Sequence, residues 1–159
     1  MLNKERQEEV VELCQHLIQK QSYSGHEDGV AGVLEEQLKK KGFDSVTVDK
    51  YGNVIGCIKG NRPGKKILFD GHIDTVPVTD ETEWQYPPFA AEIHDGKIYG
   101  RGTSDMKGAV AGFVTAAAAF AEDTKKDFAG EIYVAGVVHE ECFEGVAARV
   151  ISNFVKPDY

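Results

Sequence analysis

A histidine and an aspartate two residues apart are the first side chains of this sequence that could do chemistry together. His72 and Asp74 follow the apolar run Ile67-Leu-Phe69 through Gly71. The run is typical of a buried strand, and positions i and i+2 of an extended chain face the same side. His72 could therefore be a metal ligand that the neighbouring carboxylate orients, although a hydrogen-bonded surface pair would have the same sequence.

Carboxylates stand at two other predicted element boundaries. Asp105 lies in the glycine-rich segment 100–108, which opens a helix, and Glu140 and Glu141 follow an apolar run at 131–138 that predicts a central strand. Sites in open α/β sheets form outside the carboxyl ends of the strands, so we expect these residues to converge on His72. One imidazole with several carboxylates is a donor set that suits Zn²⁺, with Co²⁺ or Mn²⁺ as substitutes.

The adjacent glutamates allow two interpretations. Neighbouring acidic residues are most often solvated and have no further role. Glu140 and Glu141 end a buried strand, however, where two unpaired carboxylates would be costly. Metal ligation of one glutamate would remove that cost and would leave the other free to act as a general base.

The glycines around Asp105 could also indicate a nucleotide-binding loop, which the exact spacing disfavours. The phosphate-loop pattern needs Ser or Thr after its lysine, and Lys107 is followed by Gly108. The dinucleotide pattern G-x-G-x-x-G places its third glycine where Asp105 stands, and an acidic side chain directed at phosphates would repel them. We instead expect the glycines to let the backbone turn sharply and present Asp105.

The composition limits the class of protein and its partners. The chain has 159 residues, 42% apolar and 28% charged, which suits one globular domain with a core. Its formal net charge of −8 argues against a nucleic-acid partner and suits a site for divalent cations. Three cysteines without C-x-x-C spacing, a charged N-terminus and the lack of a long apolar run predict a cytoplasmic protein with reduced thiols and no membrane partner.

Alternating helix and strand patterns predict the fold class. Apolar residues at helical spacing predict a first helix over about 3–20 and a second helix that Gly42 closes. An Asp-Gly turn predicts a hairpin over 91–99. The other predicted strands cover residues 46–48, 54–58, 67–69 and 131–138. We therefore expect an α/β fold, with a mostly parallel sheet and helices on both faces.

Three segments in this order resemble the di-zinc amidohydrolase family that includes acetylornithine deacetylase, succinyl-diaminopimelate desuccinylase, aminoacylase and the glutamate-type carboxypeptidases. The matching segments are Gly71-His-Ile-Asp74, Tyr99-Gly-Arg-Gly-Thr-Ser-Asp-Met-Lys-Gly108 and Glu140-Glu141. The segment Val138-His-Glu-Glu141 and the loop before Phe89 further resemble a bacterial peptidase branch linked with selenium metabolism. The family often has a cis peptide after its bridging aspartate, which here would be Asp105–Met106.

The resemblance implies a role for each candidate residue. His72 would bind one metal ion, Asp105 would bridge two, and Glu141 would bind the second. Glu140 would act as general base and acid, and Asp74 would steady the metal site. The implied reaction is metal-assisted hydrolysis of an amide bond in an N-acyl amino acid or a short peptide. Zinc is the implied metal, with two ions in a complete site.

The chain departs from the family pattern after Tyr159. The family has a further carboxylate ligand, a last histidine ligand and a smaller domain that supports dimerisation, so a homodimer is expected for a full-length relative. We therefore expect residues 1–159 to be one partial catalytic domain, truncated at the C-terminus and inactive or nearly so as it stands. The alternative is a non-catalytic α/β remnant that binds metal weakly.

Overall fold

The computed structural model describes residues 3–143 and 145–159 and contains helices on a four-stranded sheet, together with a separate hairpin. The helices are α1 (Lys4–Ile18), α2 (Asp28–Lys40), α3 (Gly108–Thr124), α4 (Glu140–Phe143) and α5 (Val146–Val155). The strands are β1 (Ser45–Val48), β2 (Val54–Lys59), β3 (Arg62–His72), β4 (Glu92–His94), β5 (Lys97–Tyr99) and β6 (Ala129–Val137). Among the described residues, no helix is both long enough and apolar enough to cross a membrane.

The main sheet has the strand order β1-β2-β6-β3 and is mixed. β3 and β6 are parallel, whereas β1–β2 and β2–β6 are antiparallel. The expectation of a mostly parallel sheet therefore holds for the β3–β6 pair, which carries His72. It does not hold for the other two pairs of strands, which are antiparallel. A short turn joins β1 to β2 and forces antiparallel pairing, while the helical crossover through α3 returns the chain parallel to β3.

Helices cover both faces of this sheet, as predicted for the α/β class. Gly71 lies against α3, because a Cβ there would be 3.1 Å from Cγ2 of Val110. Its register partner Gly136 lies against α2. Lys66 is an odd number of residues from Gly71 and points to the opposite face, where its Nζ donates to the carbonyl oxygen of Val155 in α5.

The strand β3 is less buried than its apolar sequence predicts. Phe69 is 42% exposed, so the expectation of burial on both faces is wrong at this residue. The cause is the position of β3 at the edge of the sheet, with β6 as its one strand neighbour among the described residues. On the outer edge, the Leu68 N–H donates to the carbonyl oxygen of Tyr159, and the Tyr159 N–H donates to that of Lys66.

Local sequence signals fix the ends of the predicted elements. Asn3 caps α1, because its side chain accepts a hydrogen bond from the Arg6 N–H. The predicted hairpin is β4–β5, and its turn residues Asp95 and Gly96 both have positive φ, at 51° and 73°. The first helix and the Asp-Gly hairpin are therefore confirmed.

Candidate functional site

The carboxyl ends of β3 and β6 place the candidate residues at one edge of the sheet. His72 is the last residue of β3 and stands in register with Val137, the last residue of β6. Helix α4 then begins at Glu140, so Glu140 and Glu141 lie beside the end of β3. One ligand atom from each of His72, Asp105 and Glu141 lies within 4.8 Å of the others. The predicted convergence of these three residues is confirmed.

The His72 imidazole is buried and held at both nitrogens. Its Nδ1 lies 3.0 Å from the backbone carbonyl oxygen of Asp74 and 3.5 Å from the carboxylate Oδ1 of the same residue. Its Nε2 lies 2.9 Å from Oδ1 of Asp105 and 3.9 Å from Oε2 of Glu140. The interaction with the Asp74 side chain raises the pKa of His72 to about 9, against the opposing effect of burial, and the Asp105 contact adds to the rise.

Asp105 is presented by an irregular helical turn, Thr103–Lys107, that leads into α3. Gly102 enters this turn with φ 85°, a left-handed conformation that favours glycine. The Asp105–Met106 peptide is cis, as the family resemblance implied. The Asp105 side chain is 79% exposed, so its carboxylate is open to a ligand from solvent.

Lys107, at the end of this turn, is bound to the region where α1 ends. The residue is fully buried, and its Nζ donates hydrogen bonds to the carbonyl oxygens of Leu17 and Lys20, each at 2.9 Å. Burial lowers the pKa of Lys107 to about 8. The ammonium group binds carbonyl oxygens at and just beyond the end of α1, so it ties the Asp105 turn to α1.

Asp74 joins three parts of the site. Its side chain has no exposed surface and accepts a hydrogen bond from the Ser24 hydroxyl at 2.6 Å. It also accepts the backbone N–H groups of Glu140 and Glu141, each at 3.2 Å. Burial alone would raise the pKa of Asp74, but the hydrogen bonds from His72 and Ser24 lower it to about 2. The carboxylate is therefore ionised and locks α4 to the end of β3.

Three further residues contact this site and were not predicted from the sequence: Ser24, Glu27 and Asn53. Ser24 lies between the two helices predicted first, and Asn53 lies between the predicted strands 46–48 and 54–58. Glu27 precedes α2 and gave no signal beyond an ordinary helix start. Polar residues in such segments are common, so their burial is the one feature that distinguishes them, and burial depends on tertiary packing.

The donor set fits a divalent transition-metal ion. His72 offers an imidazole nitrogen, while Asp105 and Glu141 each offer a carboxylate oxygen. Imidazole with carboxylates is a typical ligand set for zinc and related ions. A metal-binding histidine usually also donates a hydrogen bond from its second ring nitrogen, which orients the ring. The contact of His72 Nδ1 with the Asp74 carbonyl oxygen is such an orienting hydrogen bond.

Comparison with known proteins agrees with this arrangement. Residues 68–159 match the model of peptidase family M20/M25/M40. The chain is 36% identical over 140 residues to a succinyl-diaminopimelate desuccinylase of Roseobacter denitrificans, covering 87% of this chain and 37% of that protein. A desuccinylase of Beijerinckia indica is 39% identical over 132 residues, covering 79% of this chain and 34% of that protein.

A solved structure of similar fold is the M20 family metallo-carboxypeptidase Sso-CP2 from Sulfolobus solfataricus. Its TM-score with this chain is 0.81 at 25% sequence identity, covering 94% of this chain and 36% of that one. The chain thus spans little more than a third of the length of these relatives. Since the family model covers more than half of the chain, from Leu68 to Tyr159, the chain belongs to peptidase family M20/M25/M40.

Proposed function

We propose that this chain carries part of the catalytic centre of a metal-dependent hydrolase that cleaves amide bonds. The single observation that supports the proposal is the cluster of His72, Asp105 and Glu141 beside Glu140, at the carboxyl ends of two parallel strands. Residues 1–159 would then be one partial catalytic domain. Family relatives are hydrolases of amide bonds, and the relative from Sulfolobus is a metallo-carboxypeptidase.

The proposed metal ligands are His72, Asp105 and Glu141. Asp105 has two carboxylate oxygens and could give one to each of two ions. A bound divalent metal would supply Lewis acidity, which polarises an amide carbonyl and makes water more acidic. Zinc is the ion we propose, because the donor set mixes imidazole nitrogen with carboxylate oxygen.

His72 has to lose a proton before it can be a ligand. In the metal-free protein its pKa is raised to about 9, chiefly by the interaction with Asp74. The proton can remain on Nδ1, which then donates a hydrogen bond to the Asp74 carbonyl oxygen, while Nε2 loses its proton and offers a lone pair. That nitrogen faces Asp105 and Glu140, on the side where the other proposed ligands lie.

Glu140 is the proposed general base. Its Oε2 lies 3.9 Å from Nε2 of His72, and its side chain is partly exposed, so water and substrate can reach it. The carboxylate would take a proton from the attacking water and then give it to the leaving amine. Asp74 would hold Glu140 in place through the hydrogen bond that it accepts from the Glu140 backbone.

The proposed substrates are N-acyl amino acids or short peptides. The relatives from Roseobacter and Beijerinckia are desuccinylases, and that from Sulfolobus is a carboxypeptidase, so each acts on an amide bond in a small molecule or peptide. A cytoplasmic location and the link with selenium metabolism remain predictions. The alternative function is that of a non-catalytic α/β domain that binds metal only weakly.

Elemental analysis of the purified 159-residue chain beside Asp105→Ala tests the proposal. We expect about one to two equivalents of zinc in the wild-type chain and a loss of this zinc in the variant. Release of free amine from N-succinyl amino acids and dipeptides, measured with zinc present, separates a working hydrolase from a metal-binding domain. Absence of bound zinc from the wild-type chain at micromolar free zinc would contradict the proposal.

A further inference from the structure

Four successive backbone N–H groups after β6 are bound by side chains from elsewhere in the chain. The Val138 N–H donates to Oδ1 of Asn53 at 3.0 Å. The His139 N–H donates to Oε1 of Glu27, also at 3.0 Å. The next two N–H groups, of Glu140 and Glu141, donate to Asp74. We call Glu27, Asn53 and Asp74 the acceptor cradle.

The acceptor cradle is buried to a degree that is unusual for such side chains. Glu27 is 5% exposed, and Asn53 and Asp74 have no exposed surface. A buried polar group is costly unless it is hydrogen-bonded, and apolar residues would fill the same space at lower cost. The three residues also come from three separate places: the start of α2, the turn before β2 and the end of β3. What the three residues have in common is that they all bind the backbone of residues 138–141.

The orientation of Asn53 is fixed by a second contact. Its Nδ2 donates to Oδ2 of Asp49 at 2.8 Å, so its Oδ1 points to Val138. Asp49 is itself held, because its Oδ1 accepts the backbone N–H groups of Tyr51 and Asn53. The turn between β1 and β2 is thus built to present one amide oxygen to the end of β6.

The bound segment needs these acceptors because neither flanking element supplies them. β6 ends at Val137, and the N–H groups at the start of a helix have no partner within that helix. His139 also adopts φ 58°, which turns the chain sharply between strand and helix. The acceptor cradle stabilises this turn and thereby sets the direction in which Glu140 and Glu141 leave the sheet.

We infer that Glu27 and Asn53 are positioning residues, which hold the backbone of residues 138–141 so that Glu140 and Glu141 face His72 and Asp105. The inference rests on the proposed function only in treating Glu141 as a metal ligand. Neither Glu27 nor Asn53 is assigned contact with metal or substrate. Both act through the peptide groups that they bind.

Zinc affinity of the whole 159-residue chain provides the first test, by calorimetric titration. Glu27→Ala and Asn53→Ala remove an acceptor, and we expect each to weaken zinc binding by about 10- to 100-fold. Glu27→Gln keeps an oxygen at the same position and should restore most of the affinity. Glu36→Ala removes an exposed glutamate from α2, the helix that Glu27 precedes, and serves as the matched control, with affinity unchanged. Unchanged affinity in the Glu27→Ala and Asn53→Ala chains, measured where they are folded, would overturn the inference.

Amide hydrogen exchange in the metal-free chain provides a second test that needs no metal. The N–H groups of residues 138–141 should be protected in the wild type and in Glu27→Gln, and His139 should lose protection in Glu27→Ala. If Glu27→Ala fails to fold, Glu27→Asp is used in its place, because its side chain is shorter by one methylene and moves the acceptor away from the His139 N–H. A wild-type chain that binds no zinc would contradict the proposed function. Hydrogen exchange rates at residues 138–141 that stay the same in these variants would contradict the positioning role of the acceptor cradle.

Discussion

The carboxylate of Asp74 accepts a hydrogen bond from the backbone N–H of Glu141 at 3.2 Å, across 67 positions of sequence. Asp74 lies two residues after His72, the last residue of β3, and its backbone carbonyl oxygen lies 3.0 Å from Nδ1 of that histidine. One buried residue therefore fixes both the imidazole and the glutamate of the proposed metal site.

Asp74→Asn should weaken both the fold and metal binding. Asparagine would direct an NH₂ group toward the N–H donors that the carboxylate now accepts, and a buried polar group without a partner costs about 1–3 kcal/mol. We expect the free energy of unfolding of the metal-free chain to fall by that amount, and zinc affinity to fall by about 10- to 100-fold. Urea denaturation and calorimetric titration measure the two effects. Asp70→Asn, at an exposed position on β3, is the control, and an Asp74→Asn chain that matched it would contradict this role.

The two adjacent glutamates should respond differently to the same substitution. Glu141→Gln removes a proposed ligand and should weaken zinc binding by at least about tenfold. Glu140→Gln should leave zinc affinity within a few-fold of wild type, while any amide hydrolysis by the chain falls by about 10²- to 10⁴-fold, as expected for loss of a general base. Equilibrium dialysis and an amine-release assay measure the pair. The reverse pattern would exchange the roles assigned to Glu140 and Glu141.

Lys107 should make stability depend on pH in the alkaline range. Burial lowers its pKa in the folded chain to about 8, whereas an unfolded lysine titrates near 10.4. Between these values the unfolded chain binds more protons than the folded chain, so the free energy of unfolding should rise with pH, by up to about 3 kcal/mol. Below pH 8 the cost of burying the charge is fully present.

Lys107→Met is the comparison that isolates this effect, because methionine does not titrate. Denaturant unfolding of both chains without metal, at intervals from pH 7.5 to 10.5, gives the difference in free energy of unfolding. We expect the wild type to gain stability relative to the variant as pH rises. A difference that stays constant over this range would show that the buried Lys107 has an ordinary pKa.

Gly136→Ala should destabilise the strand that leads to the site. A Cβ at Gly136 would overlap with the side chain of Leu34 and lie 3.0 Å from Cγ2 of Ile73. Overpacking of this kind costs about 1–3 kcal/mol. Gly32→Ala in α2 is the matched control, since a Cβ there meets nothing within 4 Å and alanine favours the helix by up to about 1 kcal/mol. Thermal unfolding of the two variants should shift in opposite directions, and equal shifts would refute the packing argument.

The convergence of the site residues could be predicted from the sequence for a simple reason. His72 and Glu140 each follow an apolar run, and the ends of parallel strands meet at one edge of a sheet. The Asn3 cap of α1 and the Asp95-Gly96 turn are also local signals, which depend on residues within a few positions of one another.

The sheet order and the acceptor cradle could not be predicted in the same way. β6 inserts between β2 and β3, which are neighbours in sequence, and that choice depends on long-range pairing. The insertion makes β2–β6 antiparallel and leaves β3 with Phe69 exposed at an edge. Asn53 and Glu27 resemble ordinary turn and helix-start residues until their burial against 138–139 is known.

Anomalous diffraction at the zinc edge, from crystals of the chain grown with zinc, can show whether His72, Asp105 and Glu141 bind the metal. We expect a zinc ion bound to Nε2 of His72 and to carboxylate oxygens of Asp105 and Glu141, at about 2.0–2.2 Å from each. The Glu140 carboxylate should lie nearby without binding the ion. Zinc bound elsewhere, with His72 still in contact with Asp105, would contradict the assignment of these three residues as the metal ligands.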